Sequence, residues 1–97
     1  MTVYKNATCD TYHAEGVEKN LPVEVRISGG SVAVSYEDDD GRPAVYEGNE
    51  IAPGHYELRK SNGNGTATLH LTPGGSVLEG SWIEDGYAGM WQIDIAE

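Results

Sequence analysis

The chain reads as an all-β protein, an antiparallel up-and-down meander of about eight short strands closing into a small barrel, with a two-sheet β-sandwich as the alternative. Three observations predict this class. Apolar and polar residues alternate with period two along most of the chain, and no segment has a convincing helical period. Turn signals rich in glycine separate the alternating segments, at Gly29-Gly30, Gly41, Ser61-Asn62-Gly63-Asn64, Pro73-Gly74 and Asp85-Gly86. Hairpin registers propagated outward from these turns agree on one apolar face, and a one-residue slip in any of them would invert its strand. Short connections make neighbouring strands antiparallel, and closure removes the edges that an open sheet would expose.

The N-terminal region is the least regular. Thr2 to Thr8 is extended and weakly patterned, and this strand is expected to break near Cys9. Thr11 to Glu15 alternates, with Tyr12 and Ala14 on one face, and Val17 to Asn20 has room for one helical turn. A two-residue Gly29-Gly30 loop pairs Ile27 with Val32, Val25 with Val34 and Val23 with Tyr36. The acidic turn Glu37-Asp38-Asp39-Asp40-Gly41 ends in a glycine suited to a bulge. With the bulge, Ala44, Tyr46 and Gly48 point inward, whereas an unbulged loop would send Val45; the bulge is preferred.

From Gly54 to Ile95 the pattern is sharper. A hairpin closed by Lys60 and Gly65 sets Tyr56 against Leu69 and Leu58 against Ala67. A two-residue Pro73-Gly74 loop pairs Thr72 with Gly75, hence Leu69 with Leu78 and Ala67 with Gly80. Asp85-Gly86 is a strong hairpin signal, because a type I′ turn needs positive φ at both central positions. It pairs Trp82 with Gly89, Gly80 with Trp91 and Leu78 with Ile93, so each indole lies across from a bare backbone. The inward set is then Tyr12, Tyr36, Tyr46, Tyr56, Trp82 and Trp91, interleaved with Ala14, Ala67, Gly80 and Gly89.

Bulk properties narrow the function. Ninety-seven residues make one domain, residues 1–97. The formal charge of −10 repels phosphates, so neither nucleic acid nor an anionic membrane is expected as a partner. No apolar run approaches the roughly twenty residues of a membrane helix. Met1 to Lys5 lacks the apolar core of a signal peptide, and the single Cys9 cannot form an internal disulfide, so cytoplasm is the default compartment.

Candidate chemistry is sparse. His55 falls opposite His70 on the polar face with Glu57 nearby, residue types that bind zinc, but a flat outward face holds a metal poorly. Cys9 and His13 lie roughly 13 Å apart along a regular strand, too far for a thiolate–imidazole pair. Consecutive aspartates in a tight turn, Asp38 to Asp40, point apart rather than converging on calcium. Gly29-Gly30 and Gly63-Asn64-Gly65 open no helix and so are not phosphate loops. No catalytic residue, metal site or cofactor is assigned, and the chain reads as non-enzymatic.

The interior is the better candidate. Tyr36, Tyr46, Tyr56, Trp82 and Trp91 are expected to bind a small apolar or aromatic molecule, with ring hydroxyls and indole N–H groups near one mouth orienting it. A second reading is an interaction or scaffolding protein, homodimeric through an outer face that carries Ala33, Val77, Ile83, Ala88 and Met90. A third is a metal-dependent enzyme using His55, His70 and Glu57.

Gly54-His55-Tyr56, Gly80-Ser81-Trp82 and Gly89-Met90-Trp91 repeat a Gly-x-aromatic unit. With the meander, these resemble the calycin group of barrels, the avidins and lipocalins, in proportions closer to avidin. The resemblance covers residues 54 to 95 as pattern. It implies a barrel whose open end sometimes binds small apolar molecules, and with no match to an avidin biotin site it transfers no functional residue.

Overall fold

The computed structural model describes residues 2–38, 40–61 and 63–95; Met1, Asp39, Asn62, Ala96 and Glu97 lie outside them. Eight strands follow one another: β1 (Thr2–His13), β2 (Gly16–Ser28), β3 (Ser31–Glu37), β4 (Pro43–Ala52), β5 (His55–Lys60), β6 (Thr66–Leu71), β7 (Val77–Glu84) and β8 (Tyr87–Asp94). Each pairs antiparallel with the next, and β1 pairs with β8, so the sheet is a closed barrel and not a sandwich. Among the described residues there is no helix, and hence none long and apolar enough to cross a membrane.

Most of the register follows from the turns. Asp85 and Gly86 both take positive φ, 52° and 84°, and the β7–β8 ladder sets Trp82 opposite Gly89, Gly80 opposite Trp91 and Leu78 opposite Ile93. The Lys60 amide donates to the Gly65 carbonyl, and Tyr56 faces Leu69 while Leu58 faces Ala67. Gly41, at φ 75°, donates its amide to the Asp38 carbonyl in a tight turn that ends in the left-handed region, the geometry of a glycine bulge. Ala44, Tyr46 and Gly48 accordingly oppose Tyr36, Val34 and Val32. Val25 pairs with Val34 and Ile27 with Val32, but the β2–β3 ladder ends at Glu24–Ser35, so Val23 and Tyr36 do not pair.

The β6–β7 register differs from expectation by two residues. Ala67 opposes Trp82, Leu69 opposes Gly80 and Leu71 opposes Leu78. The connection is a four-residue loop, Pro73 to Ser76, closed by the Thr72 amide on the Val77 carbonyl at 2.9 Å. A two-residue hairpin loop of type I′ or II′ needs positive φ at its first central position, which the proline ring forbids. The chain instead turns through Gly74 and Gly75, at φ 97° and 74°. A shift of two preserves parity, so the inward face is unchanged.

The N-terminal half departs further. β1 does not break near Cys9; it runs continuously and absorbs its irregularity in two bulges, between Tyr4 and Ala7 and between Cys9 and Thr11. Val17 to Asn20 is extended within β2 rather than helical. At the second bulge Asn20 sits at φ 58°, a conformation that asparagine tolerates, and its amide donates to the Asp10 carboxylate at 3.0 Å. Tyr12 faces outward, not inward, because β1 closes on β8 with Thr11 opposite Trp91 and Tyr12 opposite the exposed Met90. Ala14 lies in the β1–β2 turn.

One half of the interior is solid. Val25, Val32, Leu58, Leu69, Leu78, Ile93 and Ile95 are each at most 2% exposed and belong to one core cluster. The Ile95 amide donates to the Ser76 carbonyl and fixes that side chain across the floor. Two glycines let strands approach closely above this layer: a Cβ on Gly48 would overlap the Glu57 carbonyl oxygen, and one on Gly80 the Thr68 carbonyl oxygen. Gly48→Ala and Gly80→Ala are therefore expected to destabilise the protein by about 2–3 kcal/mol each through backbone displacement. Gly30→Ala, whose Cβ would meet only the Glu50 Cβ at 4.0 Å, should change stability by about 0.5 kcal/mol or less. Urea denaturation of the three variants checks this, and equal midpoints would refute it.

Candidate functional site

Above the aliphatic layer the barrel opens into a cavity of about 910 Å³. Its position follows from strand direction: β3, β5 and β7 rise to this end, and the turns after them ring the mouth. Inward parity then delivers Tyr36 from β3, Tyr46 from β4, Trp82 from β7 and Trp91 from β8 to its wall, all four lining the cavity. Where β2 and β3 diverge, Leu21 to Glu24 and Ser35 to Asp38 line its side.

The rings touch as a connected group. Tyr36 and Tyr46 are near parallel, 14° apart with centroids at 6.5 Å. Trp91 stands almost perpendicular to both, at 6.3 Å from Tyr36 and 5.0 Å from Tyr46, the edge-to-face arrangement that ring quadrupoles favour. Trp82 lies 6.4 Å from Trp91, tilted by 35°. The Trp82 indole nitrogen is buried and has no hydrogen-bond partner among the described residues, and the six-membered edge of its ring fills the space where a Cβ on Gly89 would stand. Of the five expected binding residues, Tyr56 is the exception. It is buried at 4% exposure opposite Leu69 in the packed half and does not line the cavity.

Two charged residues enter the cup that no sequence motif flagged. The Tyr46 hydroxyl donates to Glu84 Oε1 at 2.6 Å, and Lys60 Nζ sits 3.0 Å from the same oxygen. Parity alone places both: Glu84 shares the inward face of Gly80 and Trp82, and Lys60 that of Tyr56 and Leu58. Gly65 makes room for this contact, since a Cβ there would overlap the Tyr46 hydroxyl. Burial, reinforced by the neighbouring carboxylate, pushes the Tyr46 hydroxyl far above the ordinary phenol range. For Glu84, burial works to raise the pKa, but the hydrogen bonds from Tyr46 and Lys60 and the Lys60 charge outweigh it and hold the carboxyl below its ordinary value.

Other candidates are not assembled into sites. His55 and His70 do face each other, with ring centroids 4.3 Å apart. Among the described residues, however, no group of three or more His, Cys, Asp or Glu side chains is arranged to hold a metal ion. Cys9 points inward, and burial pushes its thiol up to about 11, so it is protonated at neutral pH and is no nucleophile. His13 meets Glu18 instead, at 4.0 Å. Asp38 spends Oδ1 on the amides of Asp40 and Arg42 within its own turn.

No family model, curated protein or solved structure matches the chain. The eight-stranded antiparallel closed barrel is compatible with a calycin-like small barrel.

The Tyr46–Glu84–Lys60 cluster has a pH signature. Because the folded Glu84 pKa is depressed, its contribution to stability is present above the unfolded value near 4.5 and is lost as pH falls through the folded value. Tyr46→Phe removes one of the two bonds that depress it and should cost about 1.5 kcal/mol at neutral pH. The variant's penalty should shrink as pH falls below the depressed folded value, where the carboxyl is protonated in both states. Denaturation midpoints of both proteins across acid pH check this; a penalty independent of pH would contradict it.

Proposed function

We propose that the protein is a non-enzymatic binding module that encloses a small, largely apolar or aromatic molecule in the open half of its barrel. The observation that carries this reading is the contrast between the two halves. Seven aliphatic side chains fill the lower interior to at most 2% exposure, while the upper interior opens into about 910 Å³ lined by four aromatic rings, two of which, Tyr36 and Trp82, are partly exposed. That volume falls within the range of small-molecule sites, and their usual lining is aromatic surface with a few placed polar groups. Tyr36, Tyr46, Trp82 and Trp91 supply the enclosing rings. Glu84 and Lys60 supply polar contacts at the wall. The resemblance to calycin barrels, whose open ends sometimes bind small apolar molecules, points the same way.

Tryptophan fluorescence tests it, because both indoles stand in the wall. Titration with the neutral fluorophore N-phenylnaphthylamine should quench the indoles with one-to-one stoichiometry. Tyr36→Ala should weaken binding by about tenfold, the loss of one aromatic contact of about 1.5 kcal/mol. Thr11→Phe, which projects a ring into the cup from opposite Trp91, should abolish it. Binding indifferent to both substitutions, or no binding, would refute the reading.

A second reading has its own observation. On the outer face Val17, Tyr12 and Met90 are successive cross-strand neighbours, with Ile83 and Ala88 paired one step toward the mouth. Val17, Tyr12, Met90 and Ile83 are 39% to 56% exposed, a clustering that suits a homodimer contact. Light scattering at low micromolar concentration should then give twice the chain mass, and Met90→Glu should return it to the monomer value. A monomeric parent protein would remove this reading.

A further inference from the structure

We infer that the cup selects organic cations, namely an amine or quaternary ammonium carried on an apolar or aromatic body. This rests on the binding reading above and adds the charge of the occupant.

The first observation is ring geometry. Tyr36 and Tyr46 are near parallel at 14°, and Trp91 stands at 81° and 86° to them, so the three rings present both parallel and perpendicular surfaces within one small volume. The face of an aromatic ring carries negative potential, and a cation within about 6 Å of its centroid is attracted to it, most strongly where water is excluded. The hydroxyl of Tyr46 donates to the Glu84 carboxylate at 2.6 Å, and a phenol polarised in this way has more electron density in its ring. Tyr46 and Trp91 are themselves buried, at 1% and 7% exposure, so the ring faces open to an occupant are those of the partly exposed Tyr36 and Trp82.

The second observation is the charge of the lining. Five carboxylates, those of Glu18, Glu24, Glu37, Asp38 and Glu84, stand around the cavity against the ammonium groups of Lys5 and Lys60. Lys60 is bound to Glu84 at 3.0 Å and Arg26 to Glu24 at 2.8 Å, so those two carboxylates are compensated, and Glu18, Glu37 and Asp38 stand against Lys5 alone. Apolar walls beneath a ring of one sign concentrate its field in the opening, and the chain as a whole carries −10. An anionic ligand meets this field unfavourably. A neutral ligand gains nothing from it. A cation is drawn in by the carboxylates and then held against ring faces that stay attractive without ordered counter-charges.

The test compares two compounds of the same shape on the full chain. (Naphthylmethyl)trimethylammonium and neopentylnaphthalene differ by one charged nitrogen in place of a carbon. Calorimetric or fluorescence titration at low salt should find the ammonium compound about tenfold tighter, with the difference narrowing as salt is raised. Tyr36→Leu, which keeps apolar surface and removes the ring, should lower affinity for the cation more than for the hydrocarbon. Equal or tighter binding of the hydrocarbon would overturn the inference and leave the cup standing as a general apolar site. Failure of both compounds and of neutral N-phenylnaphthylamine would remove the binding reading itself. The salt dependence of the unsubstituted protein decides the question even if Tyr36→Leu does not fold.

Discussion

Trp82 lies with its six-membered ring where a Cβ on Gly89 would stand, and across from Trp91 the bare backbone of Gly80 lets β6 approach, since a Cβ there would overlap the Thr68 carbonyl oxygen. The rest of the upper barrel is arranged around these two close approaches. Trp91, opposite Gly80, reaches Tyr46 at 5.0 Å and Tyr36 at 6.3 Å, and these contacts set the spacing of β3, β4 and β8 around the cup. Among the described residues the arrangement leaves the Trp82 indole N–H buried without an acceptor, a penalty of about 1–3 kcal/mol. Aromatic packing of Trp82 over Gly89 and of Trp91 against Tyr36 and Tyr46 offsets it, and the wall stays in place without filling the space in front of it.

Legibility in the sequence followed turn chemistry. Asp85-Gly86 and the Gly65 closure each admit one register, and parity from them placed Trp82, Trp91, Leu58 and Leu69 on the inner face as found. Pro73 misled the pairing by two residues because its fixed φ excludes the primed turns, yet an even shift left every side chain on its correct face. Tyr12 was not recoverable in the same way. Its orientation depends on the β1–β8 ladder, which joins strands remote in sequence and has no turn between them to fix parity. Height along the barrel axis is equally hidden from alternation. Tyr56 and Tyr46 share inward parity, but only the three-dimensional stagger puts one in the packed half and the other in the cup.

Glu84 and Lys60 show how a polar pair can serve an apolar cavity. Inward-pointing charges near a barrel mouth keep one foot in solvent, so neither bears the full cost of burial. Glu84 Oε1, held by Lys60, accepts from the Tyr46 hydroxyl and anchors a ring packed against Tyr36 and Trp91. Gly65 is part of the same device although it touches no ligand volume, because only a residue without Cβ lets the hydroxyl pass. Cup shape therefore depends on β4, β5 and β7 together, and on a loop residue between β5 and β6.

The β1–β8 ladder has a consequence for how the chain reaches this state. All other ladders join strands adjacent in sequence, so each hairpin can form early, from local contacts and at modest loop-closure entropy. Closure of β1 on β8 is the single non-local pairing, and it sets Thr11 beside Trp91 and Cys9 beside Ile93. Until it forms, the seam lies open and the aliphatic floor is exposed along one side. The folding transition state is thus expected to concentrate at this seam, and the two bulges of β1 sit on the strand that must find its register last.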